Sequence, residues 1–126
     1  MPTQDRIEGL IARVENGEFV EALQEFYAED ASMQENGEAP RIGLAALVAH
    51  ERRVIAAFEK VQARCVRPVL AQGEHVVIHW LFEFTAADGK ALRLDELSHQ
   101  RWQCDRVAEE KFYYDPVQLQ SSGRHE

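Results

Sequence analysis

Hydrophobic residues recur every three or four positions through the first half of the chain and then switch to alternation. The helical spacing covers residues 4–15, 19–27 and 43–58, and it predicts three amphipathic helices. Gly17 follows the first of these as a stop signal, and a polar loop over residues 36–42 precedes the third. Residues 30–35 are expected to form one short strand that ends at Glu35, and Glu51 interrupts the apolar stripe of the third helix.

The second half is rich in β-branched and aromatic residues that alternate with polar ones. This pattern covers residues 66–71, 74–85, 91–103 and 106–115, with turn dipeptides at 72–73, 88–89 and 104–105. The order predicts an α+β fold in which three N-terminal helices pack in the concave face of a curved antiparallel sheet. Residues from about 117 onward lack an apolar period, and we expect them to be frayed.

Length, charge and cysteine content narrow the class of protein. At 126 residues the chain is predicted to be a single domain, residues 1–126, with one core and one pocket. The 14 Lys and Arg side chains against 22 Asp and Glu give a net charge of −8, so we expect neither nucleic acid nor a membrane as a partner. Cys65 and Cys104 show no paired spacing and no signal peptide is recognisable, which favours a cytoplasmic location without disulfides.

The sequence predicts no metal site and no cofactor. His75 and His79 are four residues apart, and on a strand this spacing separates them by roughly 13 Å at about 3.3 Å per residue, which is too far to share an ion. The chain contains no G-x-G-x-x-G, P-loop or G-x-S-x-G motif. A dinucleotide, nucleotide or serine-hydrolase site therefore has no support.

Side-chain alternation indicates which face of each strand lines the interior. Over residues 74–85 one face is wholly apolar and should point inward; it consists of Val76, Ile78, Trp80, Phe82 and Phe84. Over residues 91–103 hydrophobicity alone decides less, because both faces carry polar residues. One face holds Leu94, Glu96, Ser98, Gln100 and Trp102, and the other holds Arg93, Asp95, Leu97, His99 and Arg101.

Two local motifs carry a resemblance to a known superfamily. The first is Phe-Tyr-Ala-Glu-Asp-Ala-Ser-Met-Gln-Glu-Asn over residues 26–36 with Pro-Arg-Ile-Gly-Leu over 40–44, and the second is Phe-Tyr-Tyr-Asp-Pro over 112–116. With the helix and strand order of residues 7–116, the chain resembles the SnoaL-like, NTF2-like superfamily of cone-shaped α+β proteins. That superfamily includes the ketosteroid isomerases and polyketide cyclases, so the resemblance implies a pocket inside the cone.

The resemblance also implies roles for individual residues. Glu35 matches the general base of the isomerases, and Ser98 stands where they carry the acid that donates to the substrate oxyanion. The face with Glu96 and Ser98 is therefore expected to point inward, as is the face of the last strand with Glu110. The implied catalytic residues are Glu35, Glu96 and Glu110, and the implied ligand-binding residues are Tyr27, Trp80, Phe82, Ser98, Gln100, Trp102, Phe112 and Tyr114.

Departures from the isomerase pattern leave the reaction open. Leu10, Ile11 and Val14 occupy the stretch where the isomerases place a tyrosine, so steroid isomerisation is not expected. The sequence favours a hydrophobic small-molecule pocket in which carboxylates move a proton next to a carbonyl, by an isomerase- or lyase-like reaction. The alternative function is a noncatalytic ligand-binding or accessory protein.

The carboxylates themselves allow two interpretations. An ionised carboxylate costs several kcal/mol to bury alone, so at least one pocket glutamate is expected to have a raised pKa or to share a proton. The alternative is that Glu35 is solvated or pairs with Arg41, and that Glu96 pairs with an arginine such as Arg93 or Arg101.

The opposite face of the sheet is predicted to meet a second copy of the chain. Val77, Leu81 and Leu97 point outward if the inward faces are assigned correctly, together with His79 and His99. Exposed apolar area of this kind usually contacts a partner. Because NTF2-like proteins commonly dimerise through this convex face, the resemblance implies a homodimer.

Overall fold

A computed structural model describes residues 2–120 as helices packed on one curved sheet. In chain order the elements are α1 Gln4–Glu15, α2 Phe19–Phe26, β1 Tyr27–Glu35, β2 Arg41–Ile42, α3 Leu44–Ala57, β3 Lys60–Gln72, β4 His75–Thr85, β5 Ala91–Gln103, β6 Arg106–Tyr113 and the 3₁₀ turn Pro116–Leu119. The three predicted helices and the predicted α+β class are confirmed. No helix within residues 2–120 is long and apolar enough to cross a membrane.

The first two helices form where local signals and packing agree. The Thr3 side chain caps α1 by accepting a hydrogen bond from the Arg6 amide at 3.1 Å. Gly17 adopts a φ of +80°, which lets the chain reverse directly into α2. Both helices bury one apolar stripe against the sheet; the buried residues are Ile7, Leu10, Ile11, Phe19, Ala22, Leu23 and Phe26.

The sheet is mixed, whereas the sequence suggested an antiparallel one. Its strand order is β2-β1-β6-β5-β4-β3. Strands β3 to β6 form the predicted antiparallel meander, but β1 pairs with β6 in parallel. A parallel pair requires a crossover connection, which α3 and the meander provide here. This pairing brings Met33 opposite Glu110 and Glu35 opposite Phe112, so the end of β1 lies beside the last strand.

The predicted inward faces of the central strands are confirmed. On β4, Val76, Ile78 and Trp80 are buried. On β5, every second residue is buried, and these residues are Leu94, Glu96, Ser98, Gln100 and Trp102. The alternating faces therefore point a polar-rich row from β5 into the interior beside the apolar row of β4, and Glu110 is buried on β6.

The structure describes residues 117–120 of the tail that the sequence predicts to be frayed. Pro116–Leu119 form the 3₁₀ turn, capped by the Asp115 side chain, which accepts from the Val117 amide at 3.0 Å. The Gln118 side chain accepts from the Asp95 amide at 2.7 Å and donates to the Asp95 carbonyl at 3.0 Å. The segment that follows β6 is thus held against β5 by the Gln118 side chain. The apolar pattern of the sequence could not reveal this contact. The rest of the predicted tail, residues 121–126, lies outside the described residues.

Candidate functional site

A cavity of about 340 Å³ lies between the helices and the concave face of the sheet. Most of its lining is apolar, which is typical of small-molecule sites. Aromatic rings from both layers contribute to it: Phe19, Tyr27, Phe58, Trp80, Phe82, Phe84, Phe112 and Tyr114. The polar lining consists largely of four glutamates, Glu35, Glu51, Glu96 and Glu110, with Arg41, His50 and Gln100.

One wall of the cavity is a continuous row of rings. Because residues two apart on a strand point the same way, Trp80, Phe82 and Phe84 stand side by side on β4. The ring centroids of Trp80 and Phe82 are 5.9 Å apart, and those of Phe82 and Phe84 are also 5.9 Å apart with nearly parallel planes. The ring centroids of Phe58, which lies just after α3, and Phe84 are 5.1 Å apart. This row, called the aromatic wall below, keeps one side of the cavity free of polar groups.

Glu110 is the best-connected side chain of the site. It is 3% exposed, and its carboxylate accepts hydrogen bonds from the Tyr27 hydroxyl, from the Ser98 hydroxyl at 2.5 Å and from the Gln100 amide at 2.9 Å. The Trp102 indole donates to the other end of the Gln100 amide at 2.9 Å and so fixes its orientation. Burial raises the pKa of Glu110, while the three donors act in the opposite direction by favouring the ionised form.

Glu96 lies in the same cavity without such support. It is 6% exposed, and its carboxyl group has no hydrogen-bond partner anywhere in residues 2–120. Burial, followed by repulsion from Glu110, Glu35 and Glu51, raises the pKa of Glu96 to about 8. At neutral pH this carboxyl group is therefore mostly protonated and can donate a hydrogen bond.

Glu51 is the one lining glutamate that was not among the sequence candidates. Burial and the nearby Glu110 raise its pKa to about 7, so it titrates near neutral pH. The available signal was its place in the helix: Glu51 follows the buried Leu47 and Val48 at helical spacing on α3. A charged residue in an apolar stripe indicates either a pocket or a paired charge, and the sequence alone does not decide between them.

Glu35 has the opposite electrostatic setting. Its two carboxylate oxygens accept hydrogen bonds from the Tyr114 hydroxyl and from Arg41, each at 2.6 Å. Burial acts to raise the pKa of Glu35, but the bonds from Tyr114 and Arg41 outweigh it and lower the pKa overall. The pairing with Arg41 considered from the sequence is thus present, and Glu35 still lines the cavity.

The structure brings the sequence candidates together with two exceptions. Glu35, Glu96 and Glu110 all line the cavity, as do Tyr27, Trp80, Phe82, Gln100, Phe112 and Tyr114. Ser98 and Trp102 do not line it. Both are fully buried where the sheet packs solidly beside the cavity, and they hold Glu110 and Gln100 in place rather than facing a ligand.

The histidines of the sheet lie away from the cavity on the convex face. The ring nitrogens of His75 and His99 are 3.0 Å apart, and His79 contacts Asp95 at 2.7 Å. Among the described residues, no group of three or more His, Cys, Asp or Glu side chains is placed to hold a metal ion. Cys65 is buried and Cys104 is exposed, and both are free thiols.

A helix-covered curved sheet that encloses an apolar cavity with buried acids defines the class of small-molecule pocket proteins. Residues 7–110 match the family model of the SnoaL-like domain. Because this match covers most of the chain, the protein belongs to the SnoaL-like domain family. A comparison of the sequence with curated proteins gives no significant match.

Solved structures of differently named proteins have the same fold. A candidate SnoaL-like polyketide cyclase from Jannaschia sp. CCS1 has a TM-score of 0.79 at 11% identity, over 99% of this chain and 97% of that chain. A protein with a ketosteroid isomerase-like fold from Catenulispora acidiphila DSM 44928, in complex with trimethylamine, has a TM-score of 0.79 at 18% identity, over 98% and 95%. An LEH-like epoxide hydrolase from M. tuberculosis has a TM-score of 0.76 at 13% identity, over 94% and 86%. At these identities the similarity shows the fold.

The raised pKa of Glu96 makes the stability of the fold depend on pH. The folded protein holds this proton up to a pKa of about 8, against 4.5 for the unfolded reference. The stabilisation linked to it is therefore complete below pH 4.5 and is lost as the pH rises through 8. Glu96→Gln cannot ionise, so in urea denaturation it should become more stable relative to the parent between pH 5 and pH 9, by on the order of a few kcal/mol.

The matched control is Glu109→Gln. Glu109 is the exposed neighbour of Glu110, and its pKa is lowered by its hydrogen bond from Arg101. Between pH 5 and pH 9, the free energy of unfolding of this control should change with pH in the same way as that of the parent. If Glu96→Gln also follows the parent over that range, Glu96 is ionised at neutral pH in the folded protein.

Proposed function

We propose that the cavity binds a hydrophobic small molecule with a carbonyl group and that the protein catalyses proton transfer at the carbon next to that carbonyl. One observation carries this proposal: Glu35 and Glu96 line a single cavity, but Glu35 is bonded to Arg41 and Tyr114, which lowers its pKa, while Glu96 is buried without a donor from residues 2–120, which raises its pKa. Two acids whose environments push their pKa values apart are the usual arrangement for an acid and a base in one site.

The roles follow from the two protonation states. Glu35 acts as the general base and takes a proton from the carbon next to the carbonyl. Negative charge then develops on the carbonyl oxygen, and Glu96 stabilises that oxygen by donating its hydrogen bond. Return of the proton from Glu35 to another carbon completes an isomerisation. Attack of the enolate carbon on a second carbonyl breaks the π bond of that carbonyl, and return of the proton from Glu35 to the new alkoxide oxygen completes a cyclisation.

The lowered pKa of Glu35 restricts the substrate. A weak base removes a proton efficiently only when that proton is already acidic. Carbon-bound protons between two carbonyl groups meet this condition, so 1,3-dicarbonyl compounds are the proposed substrate class. Arg41 and Tyr114 hold the Glu35 carboxylate in one orientation, and the Asn36 side chain in turn accepts from the Tyr114 amide at 3.0 Å.

The other acids and the aromatic wall support this arrangement. Glu110, the third proposed catalytic residue, contributes through its charge, which raises the pKa of both Glu96 and Glu51. The aromatic wall and the rings of Phe112 and Tyr27 provide an apolar surface along which a flat hydrophobic substrate can lie. The similarity to a candidate polyketide cyclase and to an epoxide hydrolase is consistent with chemistry in such a cavity.

A noncatalytic ligand-binding role is the second candidate. The observation in its favour is that the carboxylates of Glu110 and Glu35 are fully engaged with protein donors, as structural carboxylates are. In that case the glutamates only orient a ligand, and no proton transfer occurs.

Deuterium exchange distinguishes the two candidates. The protein should accelerate exchange at the central carbon of 1-phenyl-1,3-butanedione in D₂O, followed by proton NMR at mildly acidic pH. Glu35→Gln removes the base and should lower the protein-dependent rate by about 100-fold or more. Glu29→Gln, an exposed glutamate on the same strand, should keep the parent rate. A parent protein that binds the diketone without accelerating exchange would support the noncatalytic role.

We also propose that the protein is a cytoplasmic homodimer joined through the convex face of the sheet. Leu97 and Tyr113 are each 46% exposed there, beside the half-buried Val77 and Leu81. The two free cysteines fit a reducing compartment.

Sedimentation should return a dimer for the parent at micromolar concentration and a 14.4 kDa monomer for Leu97→Glu, because the new charge would be buried in the interface. Ile42→Glu, at an exposed site on the edge strand β2, should remain dimeric. A monomeric parent would refute the dimer and would leave the proposed proton transfer unaffected.

A further inference from the structure

Resting on the proposed function, we propose that the substrate carries a tertiary or quaternary ammonium group in addition to its carbonyl, and that this cation sits between the cavity glutamates and the aromatic wall. Such a cation narrows the substrate class of the same cavity. Three features of the cavity support it: the charge balance of the lining, one unpartnered buried side chain and the chemistry of the aromatic wall.

The lining has more acids than its bases can balance. Four carboxyl groups enter the cavity from separate elements, Glu35 from β1, Glu51 from α3, Glu96 from β5 and Glu110 from β6. The basic side chains that line it within residues 2–120 are Arg41 and His50. Arg41 is already paired with Glu35.

His50 does not correct the imbalance. Burial and the neighbouring Arg41 lower its pKa, so it is mostly neutral at pH 7. Tyr27 and Tyr114 also stay neutral, because burial raises the pKa of both. Within residues 2–120, the three inner acids, Glu51, Glu96 and Glu110, therefore form no ion pair with a basic side chain.

Glu96 gives independent evidence that the cavity is built for a ligand. It is 6% exposed, it lines the cavity, and it has no hydrogen-bond partner in the part of the chain that the structure describes. Buried polar side chains are almost always hydrogen-bonded, and the carboxyl group of Glu96 is open to the cavity, so a molecule bound in the cavity is placed to be its partner.

A bound ammonium group would balance the charge of the cavity carboxylates and leave Glu96 protonated. An adjacent cation stabilises an ionised carboxylate. Glu51 and Glu96 both titrate near neutrality, and the charge of Arg41 already favours the ionised form of Glu51. Binding of the cation is thus expected to release a proton from Glu51, while Glu96 keeps its proton for the carbonyl oxygen.

The aromatic wall fits the same cation. The faces of aromatic rings carry negative charge density and attract ammonium groups, most strongly when water is excluded. Trp80, Phe82 and Phe84 present such rings along one side of the cavity. A methylated ammonium suits this environment better than a primary amine, because it has an apolar surface and few donors that need partners.

Three probes of one shape test the charge preference directly. Benzyltrimethylammonium, its neutral carbon isostere neopentylbenzene and the anion phenylmethanesulfonate are titrated against the parent protein, with tryptophan fluorescence as the readout. We expect the cation to bind at least about tenfold tighter than the neutral isostere and the anion not to bind. Calorimetry in two buffers of different ionisation enthalpy should show release of a proton with the cation. Equal or tighter binding of neopentylbenzene would overturn the inference.

Variants connect the preference to its residues. Glu51→Gln should lower the affinity for benzyltrimethylammonium by about tenfold or more and abolish proton release, while leaving the binding of neopentylbenzene unchanged. Glu109→Gln, exposed on the outer side of β6, should behave as the parent. An unchanged affinity for the cation in a folded Glu51→Gln protein would also overturn the inference. If that variant does not fold, the comparison of the three probes on the parent protein still decides.

Failure of the inference can be told apart from failure of the proposed function. If the diketone exchange depends on Glu35 but the cation has no advantage over its isostere, only the ammonium assignment is wrong. If no probe binds while the exchange persists, the assignment is again wrong. If no probe binds and no exchange occurs, both proposals are refuted.

Discussion

The site depends on one constraint: several carboxyl groups share a mostly apolar cavity, and they cannot all be ionised at once. Glu110 imposes the constraint, because its carboxylate is completely buried and surrounded by donors from Tyr27, Ser98 and Gln100. Its charge, together with burial, raises the pKa of Glu51 and Glu96. The same hydrogen bonds connect β1, β5 and β6, so the electrostatic centre of the site is also a structural junction of the sheet.

The mixed sheet produces the separation between acid and base. Parallel pairing of β1 with β6 places Glu35 opposite Phe112, where Tyr114 and Arg41 can reach its carboxylate. Glu96 lies on β5, in a part of the cavity where no donor from residues 2–120 reaches it. Two glutamates of the same intrinsic acidity thus differ in protonation because one meets a guanidinium and a phenol and the other is buried beside three further glutamates.

Periodicity and the family resemblance predict the helices, the α+β class and most of the residues that line the cavity. The apolar row from Val76 to Phe84 fixed the inward face of β4, and the resemblance decided the parity of β5, where hydrophobicity was ambiguous. The parallel pairing of β1 with β6 was not predictable in this way, because periodicity describes a strand and not its distant neighbour. The docking of Gln118 on β5 escaped for the same reason, since it depends on two side-chain hydrogen bonds and not on an apolar pattern.

The protonation states of the individual cavity glutamates could not be predicted from the sequence. A raised pKa was expected for at least one glutamate, but its assignment to Glu96 and Glu51 requires the partners that each carboxyl has or lacks in space. The most direct test is a carbon-13 NMR titration of the glutamate side-chain carboxyls, with Glu96 assigned from the signal lost in Glu96→Gln. A midpoint near pH 8 for that signal is the predicted result. A midpoint near 4.5 would show an ionised Glu96 at neutral pH and would contradict the account.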